Sequence, residues 1–346
     1  MTERVLTERE LNRALLARQL LLERVDLPPT RAIERVGGLQ TQYAPSGYIG
    51  LWSRIQHFER DALTRALERR TAVQAWLMRV TIHTVSRRDF WPLVEGVRET
   101  RRTWWLRANR NRADPHAVSA GARRLRGLLA DGPMRRKELV DRLGVDSAVW
   151  NGIGLWVDLV RVPPSGTWEQ RRADLYGLAE DWVGPSDATP EQGVERLVRR
   201  YLGAFGPAPA KDIATWAGLP NPAIAEALGH LRLRRFRDGS GNELWDLQRA
   251  PLPDADTPAP VRFLPTWDAT LLVHARRTQI LPERFRSRVF HIKAPQSVAT
   301  FLVDGQVAGT WKHAERQIVV EPFERLSRST RRELDDEAER LSSFMD

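Results

Sequence analysis

Two glutamines separated by one residue, Gln40 and Gln42, follow Gly37-Gly38 and precede Gly50-Leu51-Trp52. A primary amide accepts at oxygen and donates at nitrogen without titrating. In an extended segment residues two apart share a face, so both amides would reach one water; on a helix they would diverge by about 200°. Two glutamines after a glycine stop are equally ordinary as solvated loop residues, and spacing alone assigns them no role. Arg98, Arg101, Arg102, Arg107, Arg110 and Arg112 surround Trp104 and Trp105. That mixture suits phosphate contact and base stacking, or a solvated helix face over core tryptophans. His83 lies in a strand-like run, where alternation makes a structural histidine the readier account. His274, beside Asp268 and Arg276, suits a DNA contact or a plain surface position. There is no cysteine, no HExxH and no Gly-Lys-Ser/Thr phosphate loop, so the sequence predicts no metal, no cofactor and no thiol chemistry.

The 346 residues suffice for two or three small domains, and 42% hydrophobic content supports packed cores. No run approaches the roughly 20 apolar residues of a membrane span, and Met1-Thr2-Glu3-Arg4 lacks a secretory pattern. The expected location is cytoplasmic, associated with the nucleoid, with no membrane and no obligate protein partner. A net charge of +10 favours a polyanion. All but four of the 54 basic residues are arginine, a bias that codon usage explains as readily as function, although arginine forks bind phosphate well.

The elements that would position these groups begin with a capping box, Thr7-Glu8-Arg9-Glu10, and a leucine-rich helix to about Glu23. A short helix starts at Pro28-Pro29 and stops at Gly37-Gly38. Arg60 to Arg70 reads as a helix, followed by β-rich runs Ala72–Met78 and Thr81–Ser86. A spacing then occurs twice. Gly132-Pro133, a Lys137-Glu138 pair, two apolar residues and Gly144 align with Gly206-Pro207, Lys211-Asp212, two apolar residues and Gly218. Each copy continues into a helix-like stretch and paired strands, the order of a winged helix-turn-helix. The expected fold is mostly α with small β wings (α+β): three tandem winged-helix units at 1–117, 118–188 and 189–250. Pro251–Pro260 reads as a linker. Residues 261–346 read as a C-terminal segment with strands at Val261–Leu264 and Thr270–Val273, a hairpin turning at Asp304-Gly305, and a helix from about Ser329 to Phe344.

Regulators that read bases place Arg, Lys, Asn or Gln on the third helix. Here Ser147–Asp158 carries one Asn and no basic residue, and Asn221–Leu228 carries no basic residue either. Both read as core helices, against a sequence-reading repressor.

Several segments, Gly37-Gly38-Leu39-Gln40-Thr41-Gln42-Tyr43-Ala44, Gly50-Leu51-Trp52-Ser53-Arg54, Leu77-Met78-Arg79-Val80-Thr81-Ile82-His83-Thr84-Val85, Arg262-Phe263-Leu264-Pro265-Thr266-Trp267-Asp268, Ile280-Leu281-Pro282-Glu283 and Thr300 to Trp311, resemble the AlkZ-like winged-helix DNA glycosylases. The resemblance covers most of the chain. It implies a C-shaped arrangement of the three units and a monofunctional hydrolase that excises N7-alkylated purines and unhooks interstrand crosslinks. It also implies that Gln40 and Gln42 form the family's Gln-x-Gln catalytic element. Thr41 departs from the usual aliphatic middle residue. The implied partner is double-stranded DNA carrying alkylated purines, held in a basic channel, with Arg101, Arg102, Arg107, His274, Arg276, Arg277 and Lys312 as candidate DNA contacts. Two other functions remain open on the residues alone: a non-catalytic winged-helix DNA-binding protein or transcriptional regulator, and a lesion-sequestering protein without turnover.

Overall fold

Thr7 caps the first helix, α1 (Glu8–Arg18): its hydroxyl accepts the Glu10 N–H while the Glu10 carboxylate accepts the Thr7 N–H. Two donors that a helix start leaves open are thereby satisfied. The helix ends at Arg18, earlier than the leucine spacing predicts. Leu20 adopts left-handed backbone (φ 57°), which sends Leu20 and Leu21 into two different cores. The computed structural model describes residues 3–111, 114–271, 277–290 and 297–346.

The N-terminal part comprises β1 (Val5–Leu6), α1, α2 (Pro29–Arg35), β2 (Leu39–Gln40), α3 (Ala44–Trp52), α4 (Arg60–Glu68), β3 (Ala72–Trp76), β4 (Ile82–Ser86) and α5 (Arg87–Ala108). Next come α6 (Pro115–Leu129), β5 (Met134–Arg135), α7 (Arg136–Leu143), α8 (Ser147–Trp156), β6 (Leu159–Arg161), β7 (Leu175–Leu178) and α9 (Ala179–Val183). They are followed by α10 (Pro190–Phe205), α11 (Ala210–Ala217), α12 (Asn221–His230), β8 (Leu233–Asp238) and β9 (Glu243–Leu247). The C-terminal part holds β10 (Arg262–Leu264), α13 (Arg286–Val289), β11 (Thr300–Val303), β12 (Gln306–Ala314), β13 (Gln317–Pro322) and α14 (Arg328–Met345). The class is α+β.

The repeated spacing folds the same way twice. α7 and α11 both end on a left-handed glycine, Gly144 (φ 65°) and Gly218 (φ 73°), which donate their N–H to Val140 O and Ala214 O. Only glycine takes that conformation without a Cβ clash, so the shared Gly is what stops both helices. The following helices are interior, as their apolar faces predict: Trp150 and Ile153 of α8, and Ile224 and Leu228 of α12, are buried.

Strand pairing adds what spacing did not foresee. One six-stranded sheet, in the order β2-β4-β3-β6-β7-β5, runs across the first expected boundary, because β3 pairs with β6 through Gln74↔Arg161 and Ala75↔Val160. β1 joins β8 as a parallel partner 232 residues away in a three-stranded sheet, matching Val5 with Arg237. β10 to β13 form the third sheet. Its Phe263, Phe301 and Trp311 pack with Leu334 and Leu341 of α14 and with Ile33, Tyr48 and Leu63 of the N-terminal helices in one core. Each such fully buried side chain contributes about 1.5–3 kcal/mol. The C-terminal segment is therefore built into the N-terminal core. The expected strand Thr270–Val273 is not formed at its described end: Thr270 and Leu271 lie in a turn, with the Thr270 N–H and hydroxyl both given to Asp268. Pro251–Pro260 is irregular but tethered, because Arg9, Arg13 and Arg18 of α1 donate to Ala255 O, Thr257 O and Pro251 O.

α5 and α10 cross where each offers a glycine. A Cβ on Gly193 would lie 2.4 Å from Gly96 N and 2.5 Å from Pro92 O. Both obstacles are backbone, so neither helix yields without moving as a whole. Gly193→Ala is expected to destabilise the fold by about 1–3 kcal/mol through overpacking, read as a lower melting temperature, whereas Gly229→Ala, whose Cβ meets nothing, should leave it unchanged or raise it.

Candidate functional site

β2 is short because it is an edge strand that ends where its side chains take over from its backbone. Leu39 faces Thr84 and Gln40 faces His83 on β4, and the Thr41 N–H then reaches Ile82 O at 2.8 Å. The next donor, the Ile82 N–H, goes to the side-chain Oε1 of Gln42 at 3.2 Å. Thr41 is buried, and its hydroxyl pairs with that of Thr84 at 2.9 Å. The polar middle residue is thus satisfied inside the sheet, where an aliphatic one would simply pack.

Gln40 is almost fully buried, and its Oε1 accepts from Arg79 Nη2 at 3.2 Å. Gln42 is exposed. The two amides therefore meet the same turn, Arg79 to Ile82, from inside and outside. That turn is strained: Arg79 (φ 54°) and the β-branched Val80 (φ 57°) are both left-handed. Arg79 also donates to Trp216 O of α11. Burial pulls its guanidinium down to about 10, which leaves it charged at neutral pH.

Behind Gln40 lies a small cavity lined also by Gln19, Ser46, Arg54, Thr266 and Asp268. Its free volume of about 10 Å³ fits roughly one water, with several polar partners in reach. Its far wall is a buried ion pair. Arg54 contacts both Asp268 oxygens at 3.0 Å and also donates to Gln19 O and Gly50 O. Trp267, just before Asp268, is another left-handed residue (φ 66°).

His83 is buried, with Nδ1 3.0 Å from Thr81 O. Burial, aided by the Arg79 charge, drives it down to about 3, so it is a neutral framework residue at physiological pH.

The arginines divide sharply. Arg101 is buried, donates to Trp76 O at 2.9 Å and pairs with Asp158 at 3.1 Å. Arg277 is buried too, with Thr270 O and the Tyr201 hydroxyl as acceptors. Both are interior residues in this structure, bonded to internal acceptors and not standing free on the surface as their reading as DNA contacts expected. Arg102 is half-buried, bonded to Leu155 O and Glu99. Arg107 and Lys312 are exposed. His274 and Arg276 lie outside the described residues. Trp105 is 4% exposed and packs on Trp156, whereas Trp104 is 57% exposed. Sequence reasoning gave no role to Arg79, Arg54 or Asp268. The available signal was a lone cation or anion inside an apolar motif.

Over residues 33–344 the chain matches the family described as DNA glycosylase AlkZ-like. It belongs to that family, the AlkZ-like DNA glycosylases. A Streptomyces sahachiroi protein named interstrand DNA cross-link repair glycosylase is 23% identical over 342 residues, covering 88% of each chain. The solved structure of the Streptomyces sahachiroi DNA glycosylase AlkZ superposes with a TM-score of 0.82 at 20% identity, over 99% of this chain and 97% of that one. At that identity the superposition speaks to the fold.

The histidine carries a pH test. Its folded value near 3 lies below the unfolded value of 6.5, so between those limits the unfolded chain binds the extra proton. Stability is lost as pH falls through about 6.5 toward 3, with a slope approaching about 1.4 kcal/mol per pH unit for a whole proton. In urea unfolding at pH 7 and pH 4, His83→Gln is expected to lose less stability on acidification than the parent chain.

Proposed function

We propose that this chain is a monofunctional DNA glycosylase that hydrolyses the N-glycosidic bond of N7-alkylated purines in duplex DNA, bulky adducts and interstrand crosslinks included. One observation carries the catalytic reading: Gln40 and Gln42 are pinned by their carbonyls to one strained turn, and Gln40 borders a space sized for a water.

Ordinary glycoside cleavage uses a carboxylic acid and a carboxylate because the leaving group is poor. An N7-alkylated purine is already cationic. Its C1′–N9 bond breaks with the electron pair passing to the purine, which leaves neutral. Water oxygen bonds to C1′ and its proton passes to solvent. The protein must place that water and favour an oxocarbenium-like sugar. A glutamine carbonyl has two lone pairs. With one on Arg79, the Gln40 oxygen keeps a second for the water, and the Gln42 NH2 faces outward to fix orientation. Positioning and fixed dipoles supply several kcal/mol without titrating groups. A crosslinked base cannot be rotated into a tight pocket, and an exposed Gln42 is consistent with an open site.

The order helix, helix, helix, paired strands in α6 to β7 and again in α10 to β9 supports tandem winged-helix units at 118–188 and 189–250. The first unit, 1–117, shares its sheet with the second. Nucleoid association follows from acting on DNA. The apolar third helices disfavour the regulator reading, and Arg107 and Lys312 remain the surface candidates for phosphate contact.

The test is base release from a duplex carrying N7-methylguanine, alongside one carrying a nitrogen-mustard crosslink. Gln40→Ala with Gln42→Ala should lower single-turnover excision by about 10²–10³-fold with duplex affinity retained. Arg79→Ala should lower excision less, by about tenfold, with Arg79→Lys recovering part of it. Undiminished product from the double variant would reject the glutamine assignment; adduct binding without any release would favour sequestration.

A further inference from the structure

On the other side of Arg79 from Gln40 lies a second, larger space. A pocket of about 310 Å³ opens between the Arg79 turn, α5 and the end of α11. Val80, Val97 and Ala217 give it apolar walls, and Trp104 stands in its lining. Trp104 is the most exposed aromatic side chain among the described residues, whereas its neighbour Trp105 is core. Leaving an indole in water beside an apolar hollow forgoes burial worth a few kcal/mol, and nothing in the fold of α5 requires it. The same residue on the inner face of the helix, Trp105, shows what packing would look like.

The pocket's charged groups are cationic and confined. Arg79 and Arg101 both line it, and burial pulls each of them down to about 10. Two poorly solvated guanidinium groups favour an electron-rich partner, and a π face is one that needs no counter-charge. An indole face, a guanidinium edge and aliphatic walls together make a stacking site. The volume sets the scale. It lies at the small end of ligand pockets, with room for a mono- or bicyclic ring. Neither Gln40 nor Gln42 lines it, so the ring it takes is not the base whose bond is cut.

We propose that the Trp104 pocket is a binding subsite for one planar aromatic ring of damaged DNA, beside the hydrolytic site and joined to it through Arg79. The ring comes from an unstacked nucleobase next to the lesion or from an aryl group on the adduct. The proposal rests on the chain acting on DNA; ring binding at Trp104 does not require Gln40 or Gln42 to be catalytic, and only its placing beside the hydrolytic site rests on that assignment.

The experiment is equilibrium binding of the full chain to three duplexes of one length: intact, with a single unpaired 2-aminopurine, and with a 2′-fluoro-stabilised N7-benzylguanine. The expected result is tighter binding than to intact duplex for one or both modified duplexes, with 2-aminopurine fluorescence quenched where the base is the occupant. Trp104→Ala should reduce that preference by roughly 5- to 150-fold, the range of one base–aromatic stack, without changing affinity for intact duplex. Trp104→Phe should retain most of it. A loss confined to one modified duplex names the source of the ring. The proposal is overturned if the parent chain shows no preference, if Trp104→Ala leaves the preference intact, or if Trp104→Phe loses as much as alanine. Base release measured in parallel on the unfluorinated N7-methylguanine duplex separates the two readings, since stacking without release would remove the glycosylase mechanism and leave the subsite standing.

Discussion

The guanidinium of Arg54 is the point on which the site's architecture rests. It is fully buried and shared between Gln19 O, Gly50 O and the Asp268 carboxylate. The Gln19 side chain in turn donates to Val36 O and Ala204 O. One charge thus ties the end of α1, the end of α2, α3, α10 and the segment after β10 around the space behind Gln40. Such a pair is a constraint more than a source of stability. Desolvation offsets most of the attraction, yet removing one partner leaves an uncompensated buried charge at a cost of about 3–5 kcal/mol. The C-terminal segment is consequently held in register with the N-terminal one.

Strain accumulates around this clamp. Arg79, Val80 and Trp267 all sit in left-handed backbone without being glycine. Conformations of that kind cost about 1–3 kcal/mol each and persist only where surrounding contacts over-determine them. Trp216 O and Gln40 fix Arg79, while Asp268 and its bonds to Arg54 and Thr270 fix the chain after Trp267. The rigid surroundings hold the two neutral amides in defined orientations, which the proposed water placement would require.

The arginine excess serves two physical purposes. Arg13, Arg18, Arg54, Arg101 and Arg277 are interior, bonding carbonyls and carboxylates that link distant segments. A planar fork with five donors does this where lysine would leave acceptors unmet. Exposed cations, Arg107 and Lys312 among them, set the surface charge instead. Composition reported the total charge and was silent on this division, because burial is decided by partners far away in sequence.

Local signals determined much of the chain. The capping box of Thr7, the glycine stops at Gly144 and Gly218, the wing-like strands and the α14 helix are all written in short-range patterns, since caps, left-handed glycines and periodicity act within a few residues. The same holds for the Gln40-Thr41-Gln42 motif and the family it marks. What only tertiary structure decided is long-range: the six-stranded sheet joining β2, β3 and β4 to β5, β6 and β7, the parallel pairing of β1 with β8, the union of the C-terminal sheet with the N-terminal core, and the sorting of Trp104 from Trp105. The contrast between buried Gln40 and exposed Gln42 belongs here too. Two residues in an extended run share a face only while the strand lasts, and β2 ends between them because β4 is left there in favour of the Gln42 side chain. Arg79 became a member of the site for the same reason, since its partners stand 39 and 137 residues away and no local pattern spans that distance.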